Sequence, residues 1–284
     1  MIAIIANPNA LRFNIKTLKN IVSLLENSGV SVDIFFTQKA GDGTLIANRI
    51  ANKYEIIAAY GGDGIINEII NAKIKDSALG ILPAGTTNVL ALDLNIDLNP
   101  EKAAKLFINP KFKKIYLGSI NDRRFVLMAG VGFDAESVKN VNAKIKKLSG
   151  KFAYFLSGLY SYLISKNDPF YMDIDEKRYK TNWVIISKAK KYAGNFIASN
   201  DIDVDKPFLD VCIFKKVAGK YLDLLLYNIA FFGGLSYHVP FIEHIVTNKT
   251  INTTKAPIQI DGDFLGICDA EISICKKPIN IVVP

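Results

Sequence analysis

The sequence predicts an α/β fold in two parts, a Rossmann-like α/β domain at residues 1–110 and an antiparallel β-sandwich domain at residues 111–284. Two observations support this division. In the first part, short apolar runs alternate with amphipathic segments, which is typical of parallel strands joined by crossover helices. In the second part, β-rich runs follow one another across polar turns, which favours antiparallel pairing. A return of the last strand, at residues 280–283, to the first domain is left open.

The elements of the first domain follow one another in a regular order. Strands are predicted at residues 2–6, 32–37, 55–60 and 79–82. Apolar residues recur at helical spacing from Ile15 to Leu25, and Gly29 ends this helix. Further helices are predicted at residues 44–52 and 66–71.

The second domain is predicted as a series of short strands. Runs at residues 111–120 and 123–129 indicate a hairpin around Asn121 and Asp122, and runs at 170–174 and 179–187 indicate a second one. Further strands are expected at residues 209–214, 258–260 and 270–275, with helices near 148–165 and 221–232.

Composition narrows the classes of function. The 284 residues include 35 Lys and Arg against 27 Asp and Glu, and the net charge of +8 suits a polyanionic ligand or an anionic membrane surface. Two His, and three Cys without CxxC spacing, argue against a His-based catalytic site, a zinc site or a disulfide framework. The longest apolar stretch, residues 221–235, is shorter than the roughly 20 residues of a membrane-spanning helix. The N-terminus carries no basic leader. A cytosolic protein is expected.

Polar and glycine residues follow four of the predicted strands. They are Asn7, Thr37, the loop 61–64 and the loop 85–88. In parallel sheets, ligands bind beyond the carboxyl ends of the strands, so these residues are expected to converge on one site. Glycines allow a phosphate close to the backbone, and the N-terminus of the following helix attracts it. Asp63, between the glycines, is a candidate ligand for a metal that accompanies a nucleotide.

Four motifs carry a resemblance to a known family. They are GGDGIINE at residues 61–68, PAGTTN at 83–88, GFDA at 132–135 and IDGD at 260–263. In this order and spacing the sequence resembles the diacylglycerol kinase catalytic family, in particular the bacterial soluble lipid kinases of two domains. The resemblance extends over essentially the whole chain, and it implies a nucleotide-binding α/β domain joined to a β-sandwich.

The resemblance implies ATP and Mg²⁺ as cofactors and a set of site residues. The Asp-Gly-Asp stretch would accept the proton of the substrate hydroxyl, which makes Asp261 and Asp263 the catalytic candidates. Asp63 would bind the metal of the nucleotide, and Asp205 would bind a structural magnesium in the loop before the strand at residues 209–214. The residues expected at the nucleotide are Asn7, Pro8, Asn9, Thr37, Gly61, Gly62, Asp63, Gly64, Ile65, Asn67, Glu68, Gly85, Thr86 and Asn88.

This sequence departs from the family pattern at several positions. Ile65 replaces the usual Thr of the glycine loop, and Val89 replaces an Asp that many members carry after GTxN. Asp263 replaces the usual Glu, which shortens the side chain by one methylene. The loop at residues 7–12 lacks its usual glycine.

The predicted function is an ATP-dependent lipid kinase that phosphorylates a hydroxyl of a diacylglycerol-like lipid alcohol. The alternatives are an NAD-kinase-like small-molecule kinase and a non-catalytic nucleotide- or lipid-binding protein. The expected partner is a lipid at a membrane surface. The lysines of residues 139–151 and the aromatic segment that follows leave two alternatives open, peripheral contact with the inner membrane face or a solvated lysine face on a helix whose aromatic side is core. A homodimer is an open alternative, and nucleic acid is not an expected partner.

Overall fold

The computed structural model describes residues 1–74, 76–140, 168–192, 196–197, 199, 202–215 and 242–284. The chain divides into two compact units, one of Met1–Leu117 with Lys276–Pro284 and one of Gly118–Cys275. Residues 111–117 and the C-terminal strand therefore fall in the first unit, whereas the sequence predicts a boundary at residue 110.

Within the described residues, six strands form the sheet of the first unit. They are β1 (Ile2–Ala6), β2 (Val32–Phe36), β3 (Ile56–Gly61), β4 (Ala78–Pro83), β5 (Lys111–Ile115) and β18 (Ile279–Val283). Their order is β2-β1-β3-β4-β18-β5; the first five are parallel, and β5 is antiparallel to β18. The helices are α1 (Ile15–Asn27), α2 (Asp42–Ile50), α3 (Asp63–Ile70), α4 (Val89–Asp93) and α5 (Pro100–Ala104), followed by a 3₁₀ turn at Lys105–Phe107.

The middle of this sheet is built from the most apolar segments. Strands β1, β3 and β4 are buried along their whole length, as expected for strands with neighbours on both sides and helices on the faces. Helix α1 buries Leu18, Ile21 and Leu25 and begins at Asn14, whose side chain accepts the N–H groups of Lys16 and Thr17.

The parallel register brings the strand ends to one edge of the sheet. Ala6 pairs with Phe36 on one side and with Tyr60 on the other, and Gly61 pairs with Pro83. The loops that follow β1, β2, β3 and β4 therefore leave the sheet at the same level.

The described strands of the second unit are β6 (Gly118–Ile120), β7 (Arg123–Phe125), β8 (Met128–Gly132), β9 (Phe170–Ile174), β10 (Lys177–Thr181), β11 (Trp183–Ser187), β12 (Lys191–Tyr192), β13 (Phe196–Ile197), β14 (Leu209–Phe214), β15 (Ile242–Thr247), β16 (Ile251–Ile260) and β17 (Asp263–Ile274).

They form an antiparallel sheet in the order β15-β14-β11-β8-β16-β17-β6-β7. Strand β9 pairs with β10 and with β16, and β12 pairs with β13. Helix α6 (Phe133–Asn140) follows β8. One apolar cluster, including Val131, Ile186, Val211 and Ile258, forms the core of this unit.

The fold class predicted from the sequence is confirmed, since a parallel sheet with helices is followed by an antiparallel sheet. Three strand predictions are wrong. The run 123–129 splits, because β7 ends at Phe125 and pairs with β6, whereas β8 begins at Met128 and pairs with β11 and β16. The run 111–120 splits, because Ile115 pairs with Ile279 in the first sheet and Gly118 pairs with Phe125 in the second. The run 179–187 also splits, because β10 ends at Thr181 and β11 pairs with β8 and β14 instead.

The predicted helices at residues 148–165 and 221–232 lie outside the described residues. Across the part of the chain that the structure describes, no helix has both the length and the apolar character needed to span a membrane.

Candidate functional site: two glycine loops and an acidic turn

The first glycine loop joins β3 to α3. Gly61 ends the strand, Gly62 precedes the helix in an extended conformation, and Asp63 is the first helical residue. Gly64 is exposed, and a Cβ added there would meet no atom within 4 Å. The first turn of α3 therefore presents a surface without a side chain at Gly64, next to the N-terminal N–H groups that attract anions.

The second glycine loop, after β4, packs directly on the first. A Cβ on Gly62 would lie 3.1 Å from the Gly85 Cα, and a Cβ on Gly85 would clash with the Gly62 Cα. Only glycine at both positions permits this approach of the two backbones. The buried side chain of Asn88 holds the second loop, since its Oδ1 accepts the Gly85 N–H at 2.9 Å and its Nδ2 donates to the Gly85 carbonyl at 3.0 Å.

The Asp63 carboxylate also connects the two loops. It accepts the N–H groups of Val89 and Leu90 at 3.0 and 3.3 Å and the Thr87 hydroxyl at 3.2 Å. Burial raises the pKa of Asp63, and these hydrogen bonds act in the opposite direction. The carboxylate thus caps the N-terminus of α4.

This arrangement bears on the magnesium that the resemblance implies. A carboxylate has about four acceptor positions, and Asp63 accepts two backbone N–H groups of α4 and the Thr87 hydroxyl. Within the described ranges, no group of three or more His, Cys, Asp or Glu is placed to hold a metal. The Asp63 carboxylate is thus engaged by protein donors in this structure, and its role as a metal ligand stays a prediction.

Glu68 ties α3 to the loop before α2. Its carboxylate oxygens accept the N–H groups of Gly41 at 2.9 Å and Gly43 at 2.7 Å, and its carbonyl accepts the Thr44 hydroxyl. These contacts assign the Glu68 side chain to the N-terminus of α2.

Three side chains of the GGDGIINE motif are buried, those of Ile65, Ile66 and Asn67. Ile65 is 4% exposed, and Asn67 is 3% exposed with its carbonyl and Oδ1 accepting Asn71 Nδ2. Their side chains, like that of Glu68, support the loop from within the unit.

The loop after β1 lies against the second glycine loop. The Asn7 N–H donates to the Tyr60 carbonyl at 3.0 Å, and the Arg12 N–H donates to the Ala84 carbonyl at 2.9 Å. The loop is turned by Asn7, whose Oδ1 accepts the Asn9 N–H. Its residues Pro8 and Asn9 are exposed. This loop thus reaches the edge where the glycine loops meet.

The remaining predicted nucleotide residues differ in exposure. Thr86 is exposed at the tip of the second glycine loop. Thr37 is buried next to β1, where its N–H donates to the Ala6 carbonyl. The structure thus brings together the loops after β1, β3 and β4, with Thr37 at the end of the neighbouring strand.

The Asp-Gly-Asp stretch is a two-residue turn between β16 and β17. Asp261 and Gly262 have φ of 47° and 89°, and Ile260 pairs with Asp263. The Asp261 carboxylate accepts three backbone N–H groups, those of Val126 at 3.0 Å, Leu127 at 2.9 Å and Met128 at 3.0 Å. Asp263, the first residue of β17, is exposed.

The buried side chains of Gln259 and Asp134 support this turn through hydrogen bonds. Gln259 is 1% exposed; its Nε2 donates to Asp134 at 2.6 Å, and its Oε1 accepts the Gly262 N–H at 2.9 Å. Asp134 belongs to the GFDA motif, for which the sequence predicts no role. Gln259 was missed altogether, although its place two residues before Asp261 is the signal that could have pointed to it.

The predicted structural metal ligand and the predicted membrane segment are described only in part. Asp205 is half-buried in the loop before β14. Lys139 lies on α6 with its ammonium 5.4 Å from the centre of the Phe264 ring. The other lysines of residues 139–151 lie outside the described residues, and so does Asp201.

The chain is similar to known proteins over nearly its full length. Residues 1–120 match the family described as the diacylglycerol kinase catalytic domain. A diacylglycerol kinase of Staphylococcus aureus (strain MRSA252) is 32% identical over 289 residues, which cover 99% of this chain and 91% of that protein. A diacylglycerol kinase of Bacillus subtilis (strain 168) is 27% identical over 299 residues, covering 99% and 95%.

Solved structures share the fold. A crystal structure of a diacylglycerol kinase from Bacillus anthracis str. Sterne has a TM-score of 0.75 at 20% identity, covering all of this chain and 96% of that one. Another crystal structure from the same organism reaches a TM-score of 0.82 at 23% identity. The relatives support a kinase activity toward lipids at the level of the family. The family match and the relative that is 32% identical show that the chain belongs to the diacylglycerol kinase family.

Proposed function

We propose that this protein transfers the γ-phosphoryl group of ATP to a hydroxyl of a diacylglycerol-like lipid. The observation that carries the proposal is the contact between the two glycine loops, Gly62 against Gly85, at the carboxyl edge of a parallel sheet. Phosphoryl transfer depends mainly on positioning and on neutralising charge, and closely approaching backbone N–H groups supply both.

In this proposal, the phosphates of ATP lie over the first turn of α3. The bare surface at Gly64 leaves room for them, and the exposed hydroxyls of Thr86 and Thr87 stand on the facing loop. Because the Asp63 carboxylate is engaged by protein donors, any Mg²⁺ would enter with the phosphates as part of the substrate.

We assign the two acidic residues of the turn different roles. The Asp261 carboxylate already accepts three backbone N–H groups, so we assign it the role of shaping the turn. Asp263 is exposed at the start of β17. We infer that Asp263 accepts the proton of the lipid hydroxyl as its oxygen bonds to the γ-phosphorus and the bond from that phosphorus to ADP breaks, because an alcohol is a weak nucleophile without a base.

The substrate class implies a lipid surface as the place of reaction. Peripheral contact with the inner face of a membrane is part of the proposal, and the position of the Lys139 ammonium over Phe264, next in sequence to Asp263, is the described feature that supports it. Homodimer formation stays a prediction.

The experiment is a transfer assay with γ-labelled ATP, Mg²⁺ and vesicles that contain a total bacterial lipid extract. The expected product is one labelled lipid phosphomonoester that depends on the vesicles. Tight ATP binding by calorimetry without any labelled lipid would favour the non-catalytic alternative, which the replacement of a phosphate-loop hydroxyl by buried Ile65 motivates.

A further inference from the structure

A fully buried lysine lies beside the loop to which the resemblance assigns a structural magnesium. Lys188, directly after β11, has a relative exposure of 0%, and its Nζ donates to the Asp203 carbonyl at 2.9 Å. Its backbone N–H donates to the Leu127 carbonyl at 2.8 Å, so the lysine is fixed at both ends. A buried ammonium is tolerated only where oxygen atoms compensate for its lost hydration.

Asp203 contacts two lysine ammonium groups and one backbone N–H. Besides the Lys188 ammonium, its carbonyl accepts the Lys206 N–H at 2.9 Å. Its carboxylate lies 3.1 Å from the Lys190 Nζ, in a partly exposed ion pair. The flanking residues Ile202 and Val204 are buried, so apolar side chains hold the loop on either side of Asp203.

These contacts do not fit a divalent ion in the described part of the loop. Magnesium requires several oxygen ligands in near-octahedral geometry. Here the Asp203 carbonyl is shared by two donors, and two ammonium groups contact the same residue. A dication brought to Asp203 would meet like charges at close range.

We propose that the Lys188 ammonium is a built-in cation that takes the structural place of magnesium in this chain. It anchors residues 202–206 to the end of β11, and the fold of the second unit does not depend on a divalent metal. The inference concerns only this loop and stands independently of the kinase proposal.

The test follows thermal unfolding of the full chain without nucleotide, in EDTA and in millimolar Mg²⁺. For the wild-type protein we expect the same midpoint in both solutions. Lys188→Met, which keeps the length of the side chain and removes its charge, should lower the midpoint in EDTA by about 5 °C. Added Mg²⁺ should recover part of this loss, because the loop oxygens then lack a cation.

Lys190→Met is the matched control. Its ammonium is 47% exposed in the ion pair with Asp203, so its removal should lower the midpoint by only about 1 °C and without rescue by Mg²⁺. A wild-type midpoint that falls in EDTA would overturn the proposal. The proposal would also be overturned if Lys188→Met were no less stable than Lys190→Met, or if Mg²⁺ did not raise the midpoint of Lys188→Met. Should Lys188→Met fail to fold, Mn²⁺ binding by the wild type, followed by electron paramagnetic resonance, decides: no binding at this loop supports the proposal, and binding overturns it.

Discussion

Two Asp-Gly pairs, one in each unit, use their acidic residue in the same way. Asp63 accepts the N–H groups of Val89 and Leu90, and Asp261 accepts those of three consecutive residues that begin at Val126. In each case the motif suggests a chemical role for the carboxylate, but the structure shows it accepting hydrogen bonds from the backbone of another segment. The exposed groups are their neighbours, Gly64 and Asp263. The acid that shapes a motif and the group that meets the substrate can therefore be different residues.

The largest expected effect is on kcat, and it concerns the different roles assigned to Asp263 and Asp261. We expect Asp263→Asn to lower kcat by about 10²-fold, the usual loss on removing a general base, with no change in unfolding free energy. Asp122→Asn, an exposed acid in the turn between β6 and β7, is the matched control and should retain full activity. Steady-state kinetics with saturating ATP measure the effect. Normal turnover by Asp263→Asn would remove the distinction between the two acids.

The second prediction concerns stability. Asp261→Ala leaves three backbone N–H groups without their acceptor, and hydrogen bonds to a charged group are costly to lose. We expect the unfolding free energy to fall by about 2 kcal/mol in urea titrations. Asp263→Ala is the control and should change it by less than about 0.5 kcal/mol, because the side chain is exposed. Equal losses in the two variants would show that the three hydrogen bonds contribute little.

The third prediction applies the comparison to the glycines. Gly85→Ala forces apart the backbones that meet at Gly62, so we expect the Kd for ATP to rise about tenfold, or 1.4 kcal/mol. Gly64→Ala should leave the unfolding free energy within about 0.5 kcal/mol of wild type, because its methyl group meets no atom within 4 Å. Calorimetry and urea unfolding of both variants provide the measurements. Unchanged ATP affinity in Gly85→Ala would remove the second loop from the nucleotide site.

The smallest effect is a pH dependence. Burial raises the pKa of Asp63 above its ordinary value of 3.8, so the folded protein takes up this proton before the unfolded chain does. As pH falls from neutrality toward 3.8, wild type should therefore gain stability relative to Asp63→Asn.

Asp42 is the control of opposite sign. The N–H groups of Gln38 and Lys39 lower the pKa of Asp42 from 3.8, so wild type should lose stability relative to Asp42→Asn as pH falls below that value. Urea unfolding across this pH range measures both slopes. Parallel slopes in the two comparisons would contradict the assigned causes.

The sequence predicts the parallel sheet well because its central strands are continuous apolar runs. The predicted bounds of β1 agree with the structure, and those of β3 and β4 agree to within one residue at each end. The sequence does not predict the division of the run 111–120, because the alternating pattern of apolar and polar residues does not show that the chain changes sheet between Ile115 and Gly118.

The roles of the individual carboxylates in each unit could not be predicted. The partners of Asp261 lie more than 130 residues away in sequence, and Gln259 and Asp134 are separated by 125 residues. Motif spacing identifies the carboxylates, but only the tertiary structure shows which of them already has donors.

A competition assay measures directly whether phosphate is transferred from ATP to a lipid hydroxyl. Wild-type protein receives γ-labelled ATP with Mg²⁺, vesicles containing diacylglycerol, and NAD in the same reaction, and the labelled products are separated. We expect the label to enter the lipid fraction as a phosphomonoester of diacylglycerol, and we expect Asp263→Asn to reduce this product about 10²-fold. Label in NADP, or nucleotide binding without any labelled lipid, would contradict this expectation.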